Sequence, residues 1–363
     1  MKKLKLKSVC FRIFVLLLSI VLIFVVNNSA LGNDDALDYI YGTFIGSKSD
    51  YNGVIEVWNI DTFEGGYKSK FSFLDDMAKS FQKKNKGVYV VTRNITIGEC
   101  EYLLSQNELP DIISCSYGVS EKIKDYICSF ENYNSKVLNN FIEAGKGNDG
   151  DVYGLAWCAG FYSLISTKSK LEKVGVEFEN VKLNEIAFTS SYNYNIGKKE
   201  KLSKSIIYGT NEYLMPKKAL EAYNKLKSIQ IEEDLNNEIK LKSQYSAYIS
   251  FLSNDATILL GTQRDICRMS GRVEKGKMSD VVYLPLMNWT DLVQYSFVCK
   301  SDNEQRKRTA EKFACFLTEE VNQKKLEDIG LFPVIEVKDT LLKGVMRDII
   351  LENIGDCEVE KIF

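Results

Sequence analysis

Acids, amides and aromatic rings recur in short polar stretches that follow apolar runs. They are Asp61, Phe63 and Glu64 before Gly65-Gly66, then Ser114 and Tyr117, Trp157 and Tyr162, Gln263-Arg264-Asp265, and finally Trp289, Asp291 and Tyr295. Carboxylates accept hydrogen bonds, the Arg264 guanidinium offers a forked donor set that Asp265 could orient, and ring faces give apolar platforms. Paired carboxylates can also serve as an acid and a nucleophile or base when they stand about 5–10 Å apart across a bond. Asp61, Glu64 and Asp265 are the groups available for that. The chain has no histidine. That removes the usual general base, the commonest zinc ligand and every Ser-His or Cys-His arrangement, so binding is favoured over catalysis. Each group also has a plainer role: Phe63 and Trp157 as packing, Asp61 and Glu64 as solvated turn acids, Arg264–Asp265 as an ion pair between elements, Trp289 and Asp291 as caps of a surface loop.

With 363 residues the chain is long enough for two lobes of roughly 100–200 residues each. The formal charge is −2 overall; residues 1–32 hold five cations and no acid, which leaves −7 for the remainder. A mildly acidic body argues against a nucleic-acid partner, which needs a concentrated basic surface. None of the nine cysteines stands in C-x-x-C spacing, so neither a zinc ribbon nor a thioredoxin-type motif is present. Most sit in apolar runs such as Ala314-Cys315-Phe316 and read as small buried hydrophobes.

Residues 1–32 have the layout of an export signal: basic Met1–Arg12, an apolar Ile13–Val26 broken only by Ser19, then a small polar stretch with Ala30 and Gly32 placed for cleavage. The same apolar run could remain as a membrane anchor. Cys10 precedes that run rather than following it, so a lipoprotein signal is not expected. Residues 33–52 read as a loose leader. Gly53–Asn59 alternates as a strand, and Phe73, Leu74, Met77, Ala78 and Phe81 recur at helical spacing, with Ser69 or Ser72 as N-cap and Gly87 as the stop. Val88–Ile95 is a second strand, Glu99–Gln106 a helix and Pro110–Ser114 a third strand. Strands follow within Tyr153–Thr167 and at Ser205–Tyr208, Ala256–Leu260, Val281–Pro285 and Leu292–Lys300. Helices are expected at Lys168–Val174, Pro216–Ile229, Tyr245–Leu252, Arg306–Leu317 and Val321–Ile329. Alternating strands and helices predict an α/β architecture with ligands beyond the carboxyl ends of the strands.

Several of these segments resemble the family 1 extracellular solute-binding proteins, the maltose-binding-protein-like components of carbohydrate ABC importers, and the clostridial-type members most. The segments are Ile55-Glu-Val-Trp-Asn-Ile-Asp-Thr-Phe-Glu-Gly-Gly66, Phe73–Val88, Leu109–Ser114, Tyr153-Gly-Leu-Ala-Trp-Cys158, Ala256–Asp265, Ala310–Leu317 and Gly330-Leu-Phe-Pro-Val334. They span about residues 53–334. Ala156 stands where the family often has proline, and 180–204 departs from the family pattern.

The resemblance implies a two-lobed periplasmic-binding-protein-like fold of class II type, each lobe a sheet flanked by helices, with a hinge of two or three crossing segments. Crossings are expected near Ala156–Gly160, Pro285–Asn288 and Cys299–Asp302. Lobe 1 would comprise 53–157 with about 286–300, and lobe 2 would comprise 158–285 with about 301–363. It further implies a monomeric, exported, non-enzymatic protein without cofactor that binds a sugar between its lobes and delivers it to ABC permease subunits. Asp61 and Glu64 would accept from hydroxyls, and Phe63, Ser114, Tyr117, Trp157, Tyr162, Gln263, Arg264, Asp265, Trp289, Asp291 and Tyr295 would complete the site. A membrane-tethered sensor of the same fold is the alternative, and an exported carbohydrate-active enzyme a second one.

Overall fold

The computed structural model describes residues 47–60, 69–116, 119–160, 162–174, 206–208, 248–249, 251–254, 258–285, 292–336, 359 and 361–363. Export signal, leader up to 46, residues 180–204 and the helix expected at Pro216–Ile229 lie outside them. Among the described residues no helix is long and apolar enough to cross a membrane.

The first sheet begins with β1 (Ser47–Ile60), which starts six residues earlier than its alternation suggests. Ser47 and Lys48 pair with Asn85 and Lys86, and the register slips before Gly53 meets Val88. That slip faces Gly87, whose φ is +92° and where a Cβ would stand 1.9 Å from Asn52 Oδ1. Only glycine meets both demands. Helix α1 (Lys70–Lys84) opens on Ser69, whose Oγ accepts from Ser72 N at 3.0 Å. It ends two residues short of the expected Gly87 stop region because the Asn85 side chain donates to Phe81 O at 2.9 Å. Lys83 and Lys84 in the last turn suit its negative end. The buried Phe73, Leu74, Met77, Ala78 and Phe81 form its sheet-facing stripe.

Next come β2 (Asn85–Ile95), α2 (Ile97–Ser105) and β3 (Ile112–Ser116). Strands β1, β2 and β3 are mutually parallel, with β1 between its partners. The sheet is completed by β4 (Gly154–Gly160) and β9 (Leu292–Val298) in the order β2-β1-β3-β9-β4, with β9 antiparallel to β3 and β4. Short helices α3 (Ser120–Ile123) and α4 (Asn139–Ala144) lie between β3 and β4.

The second sheet has the order β6-β7-β5-β8, formed by β5 (Tyr162–Thr167), β6 (Ile206–Tyr208), β7 (Ile258–Thr262) and β8 (Val281–Pro285). Its core holds Ile165, Tyr248, Phe251, Leu259, Ile266 and Met269. Helix α5 (Lys168–Val174) follows β5, and α6 (Gln263–Glu274) follows β7 without a break. The sequence reading takes Gln263–Asp265 as a polar cluster after a strand and expects no helix there; in the structure these residues form the first turn of α6.

The chain passes from the first sheet to the second between Gly160 and Tyr162, and returns between Pro285 and Leu292. No third crossing occurs at Cys299–Asp302. Cys299 N donates to Asp111 O and Lys300 N to Tyr126 O, both at 2.9 Å, which keeps that segment on the first sheet. Helix α7 (Glu304–Leu317) then packs on α1. The Phe81 ring meets the edges of Phe313 at 5.2 Å and Phe316 at 5.4 Å. Arg306 grips the buried Asp111 carboxylate at 2.6 and 2.8 Å, and the same carboxylate accepts from Glu56 N at 2.8 Å. The described parts of 301–363 therefore sit with the first sheet, where the sequence reading assigns them to the second lobe. After α8 (Glu320–Gln323) and a 3-10 turn to Ile329, Phe332 bridges Ala159 of β4 and Ile335 bridges Val137.

Candidate functional site

At the carboxyl ends of β1 and β3 one face of the first sheet turns polar. Asn94, Asn59, Ser114 and Ser296 stand directly opposite one another across β2, β1, β3 and β9. Asn59 Nδ2 donates to Asn94 Oδ1 at 2.7 Å. Gln294, two residues before Ser296 and on the same face, donates toward Ser114 Oγ at 3.2 Å and toward Asn59 Oδ1 and Ile60 O at 3.4 Å. Asn59, Ser114, Gln294 and Ser296 are all buried. Removing this many polar groups from water is costly unless they satisfy one another, which this network does in large part.

Trp157 reaches the same cluster through a break in the β4–β9 pairing. Ala156 faces Tyr295 and Cys158 faces Gln294, so Trp157 is the extra residue of a bulge. A bulge re-aims a side chain. Here the ring stacks on Phe73 at 5.3 Å and 4°, and its Nε1 donates to Ser114 Oγ at 3.1 Å. The ring is fully buried, so in this conformation it packs instead of presenting a face to solvent. Tyr295 is buried likewise, beside Phe297 at 6.0 Å. Ser114 and Trp157 are thus brought together, joined by Gln294, Asn59 and Asn94, which sequence reasoning did not single out. The amides' one sequence signal was position: Asn59 and Asn94 each stand next to the last residue of a strand.

The second sheet contributes the start of α6. Thr262 and Asp265 form a capping box, with Thr262 N donating to Asp265 Oδ2 at 2.9 Å. Asp265 therefore holds the helix N-terminus, and the neighbouring Arg264 acts electrostatically on the same carboxyl. Burial pushes its carboxyl above the ordinary carboxylate range, partly offset by the hydrogen bonds from Thr262. Arg264 is fully buried beside Gly330. Gln263 donates to Gly330 O at 3.2 Å and lies against Gly160, where a Cβ would meet its Nε2 at 2.6 Å. Phe332 and Ala159 exchange both backbone hydrogen bonds at 2.9 and 3.0 Å. The Gln323 side chain donates to Trp157 O and accepts from Val334 N, both at 2.8 Å. Gln263, Gly160 and Gly330 thus meet where the chain leaves the first sheet.

Asp61, Phe63, Glu64, Tyr117, Trp289 and Asp291 fall outside the described residues, and Tyr162 is described by its backbone alone as the first residue of β5. Among the described residues no group of three or more acids or thiols is placed to hold a metal ion. Among the described residues no two cysteines are joined in a disulfide. Burial pushes Cys100, Cys267 and Cys315 up to about 11 and holds the fully enclosed Cys115 and Cys299 well above the ordinary thiol range, which disfavours the thiolate.

Two sheets flanked by helices, joined among the described residues by two crossings, with buried polar side chains gathered at the strand ends beside them, define a two-lobed periplasmic-binding-protein-like fold. No protein-family model matches the chain, and no curated protein is similar to it at the sequence level. Solved structures do match. An ABC substrate-binding protein from Listeria monocytogenes, solved with cycloalternan, is similar at 15% identity with a TM-score of 0.56, over 86% of this chain and 89% of that one. A sugar transporter from Bacillus licheniformis, solved with stachyose, gives 14% and 0.53 over 85% and 88%. Iron-bound HitA from Pseudomonas aeruginosa gives 14% and 0.55 over 85% and 94%.

Proposed function

We propose that the chain is an exported solute-binding protein that holds a sugar or oligosaccharide between its lobes and delivers it to the membrane subunits of an ABC importer. The observation that carries this reading is the buried row of amides and hydroxyls at the strand ends beside both crossings. These groups tie together the ends of β1 and β3, and the segments that follow in sequence carry Asp61, Phe63, Glu64 and Tyr117, which would meet a polyhydroxyl ligand. Acids and amides would accept and donate to hydroxyls, and rings would cover the C–H faces of the sugar. Gln263, Tyr162, Trp289 and Asp291 would approach from the second lobe and the returning crossing, so that closure adds contacts the open form lacks. Neighbours of the same fold solved with cycloalternan and stachyose support a saccharide. A neighbour of the same fold solved with iron makes a metal ion the solute to compare with saccharides.

A thermal-shift panel of mono- and oligosaccharides, with ferric iron as a further arm, tests the reading. A saccharide present at about 100 times its Kd is expected to stabilise the chain by roughly 2.7 kcal/mol. A shift with iron and with no saccharide, or turnover of an oligosaccharide, would overturn it.

A further inference from the structure

Gln294 has a place in the fold that no other described side chain shares. Its strand, β9, begins at Leu292, the first residue after the returning crossing. Its amide nitrogen lies 3.2–3.4 Å from acceptors on two other strands: Asn59 Oδ1 and Ile60 O at the end of β1, and Ser114 Oγ near the end of β3. Ser114 in turn accepts from Trp157 at the bulge of β4, three residues before the chain crosses outward at Gly160. One amide therefore connects the strand that returns from the second lobe to the ends of β1 and β3, and through one hydroxyl to the strand that departs. Fully buried, these hydrogen bonds act at low dielectric, and leaving their acceptors unmet is expensive.

We propose that Gln294 is the positioning residue that couples the two crossings to the strand ends proposed to carry the ligand contacts. It acts through Ile60 and Ser114 and need not touch the ligand. This rests on the reading of the chain as a ligand-binding protein; its test is chosen to stand without a ligand.

The test compares amide hydrogen exchange in the full ligand-free chain with that of Gln294→Met, which keeps the volume and removes the amide. Arg306→Met is the control, since it breaks the Asp111 grip at the start of β3, where Asp111 holds Glu56 of β1. Peptides covering the carboxyl ends of β1, β3 and β4 are expected to exchange about tenfold faster or more in Gln294→Met, while α2 and α7 are unchanged. Ser114→Ala removes only one acceptor and should give the same pattern at smaller size, which keeps the test open if Gln294→Met fails to fold. Acceleration spread evenly over the first lobe in proportion to lost stability, as expected of Arg306→Met, would overturn the proposal; so would exchange unchanged in both site variants. A selective response in a chain that no saccharide stabilises would uphold the coupling and defeat only the sugar reading.

Discussion

Trp157 contributes two separable things: a ring stacked on Phe73 and an N–H bonded to Ser114. Truncating a buried aromatic ring costs roughly 3–5 kcal/mol, whereas losing one neutral hydrogen bond costs about 1 kcal/mol. Urea unfolding should therefore show Trp157→Ala losing several times more stability than Trp157→Phe, which keeps the stack. Equal losses would mean that the hydrogen bond, not the ring, dominates. The sequence marked Ser114 from its place at the end of a predicted strand and Trp157 from its place beside the expected first crossing, and the structure does join them. What could not be read was the bulge that turns the ring inward, because a one-residue offset between β4 and β9 depends on the pairing of segments far apart in the chain. Gln294 was hidden for the same reason: it reads as one polar residue inside an apolar strand until β1 and β3 are laid beside it.

Helices and strands with full periodicity were legible at the level of elements, among them α1, β2, α2, β3, β9 and α7. Helix α6 was not, because its buried apolar face is narrow, with Ile266 and Met269 set among polar residues and Gly271. The signal that could have found it is Thr262-Gln-Arg-Asp265, an acid placed to close a capping box ahead of those two apolar positions. That box has a pH signature. Burial raises the Asp265 carboxyl in the folded chain, so between its unfolded and folded pKa the folded state holds the proton more tightly than the unfolded state. Its ionisation therefore weakens folding as pH rises from about 4 through the raised value. Asp265→Asn keeps an oxygen for Thr262 and removes the titration. Measured by urea unfolding at several pH values, the stability of the natural chain relative to Asp265→Asn should fall as pH rises through that window and level off above it. A relative stability that instead rises with pH would mean that the hydrogen bonds from Thr262 outweigh burial.

For the whole molecule, the question is how the two sheets move as one device. The described chain crosses between them twice, and at the outgoing crossing three segments converge on a single contact: Gly160 at the end of β4, Gln263 at the start of α6, and Gly330 on the returning tail. A hinge needs a few residues that absorb backbone rotation while neighbouring packing stays intact. At this crossing glycine is needed at 160, because a Cβ there would stand 2.6 Å from the Gln263 amide. Gly160→Ala must push that amide away from Gly330 O, at a cost of about 1–3 kcal/mol for overpacking. If the contact sets the lobe angle, the variant should also change shape: its ligand-free radius of gyration by small-angle scattering should differ from that of the natural chain, and saccharide should compact it less. Adding Gln263→Ala removes the clashing group, so the double variant should recover part of the lost stability, and the two substitutions should be strongly non-additive. Additive losses with an unchanged scattering profile would place the pivot elsewhere, leaving Gly160 a packing requirement of the sheet edge and no part of the hinge.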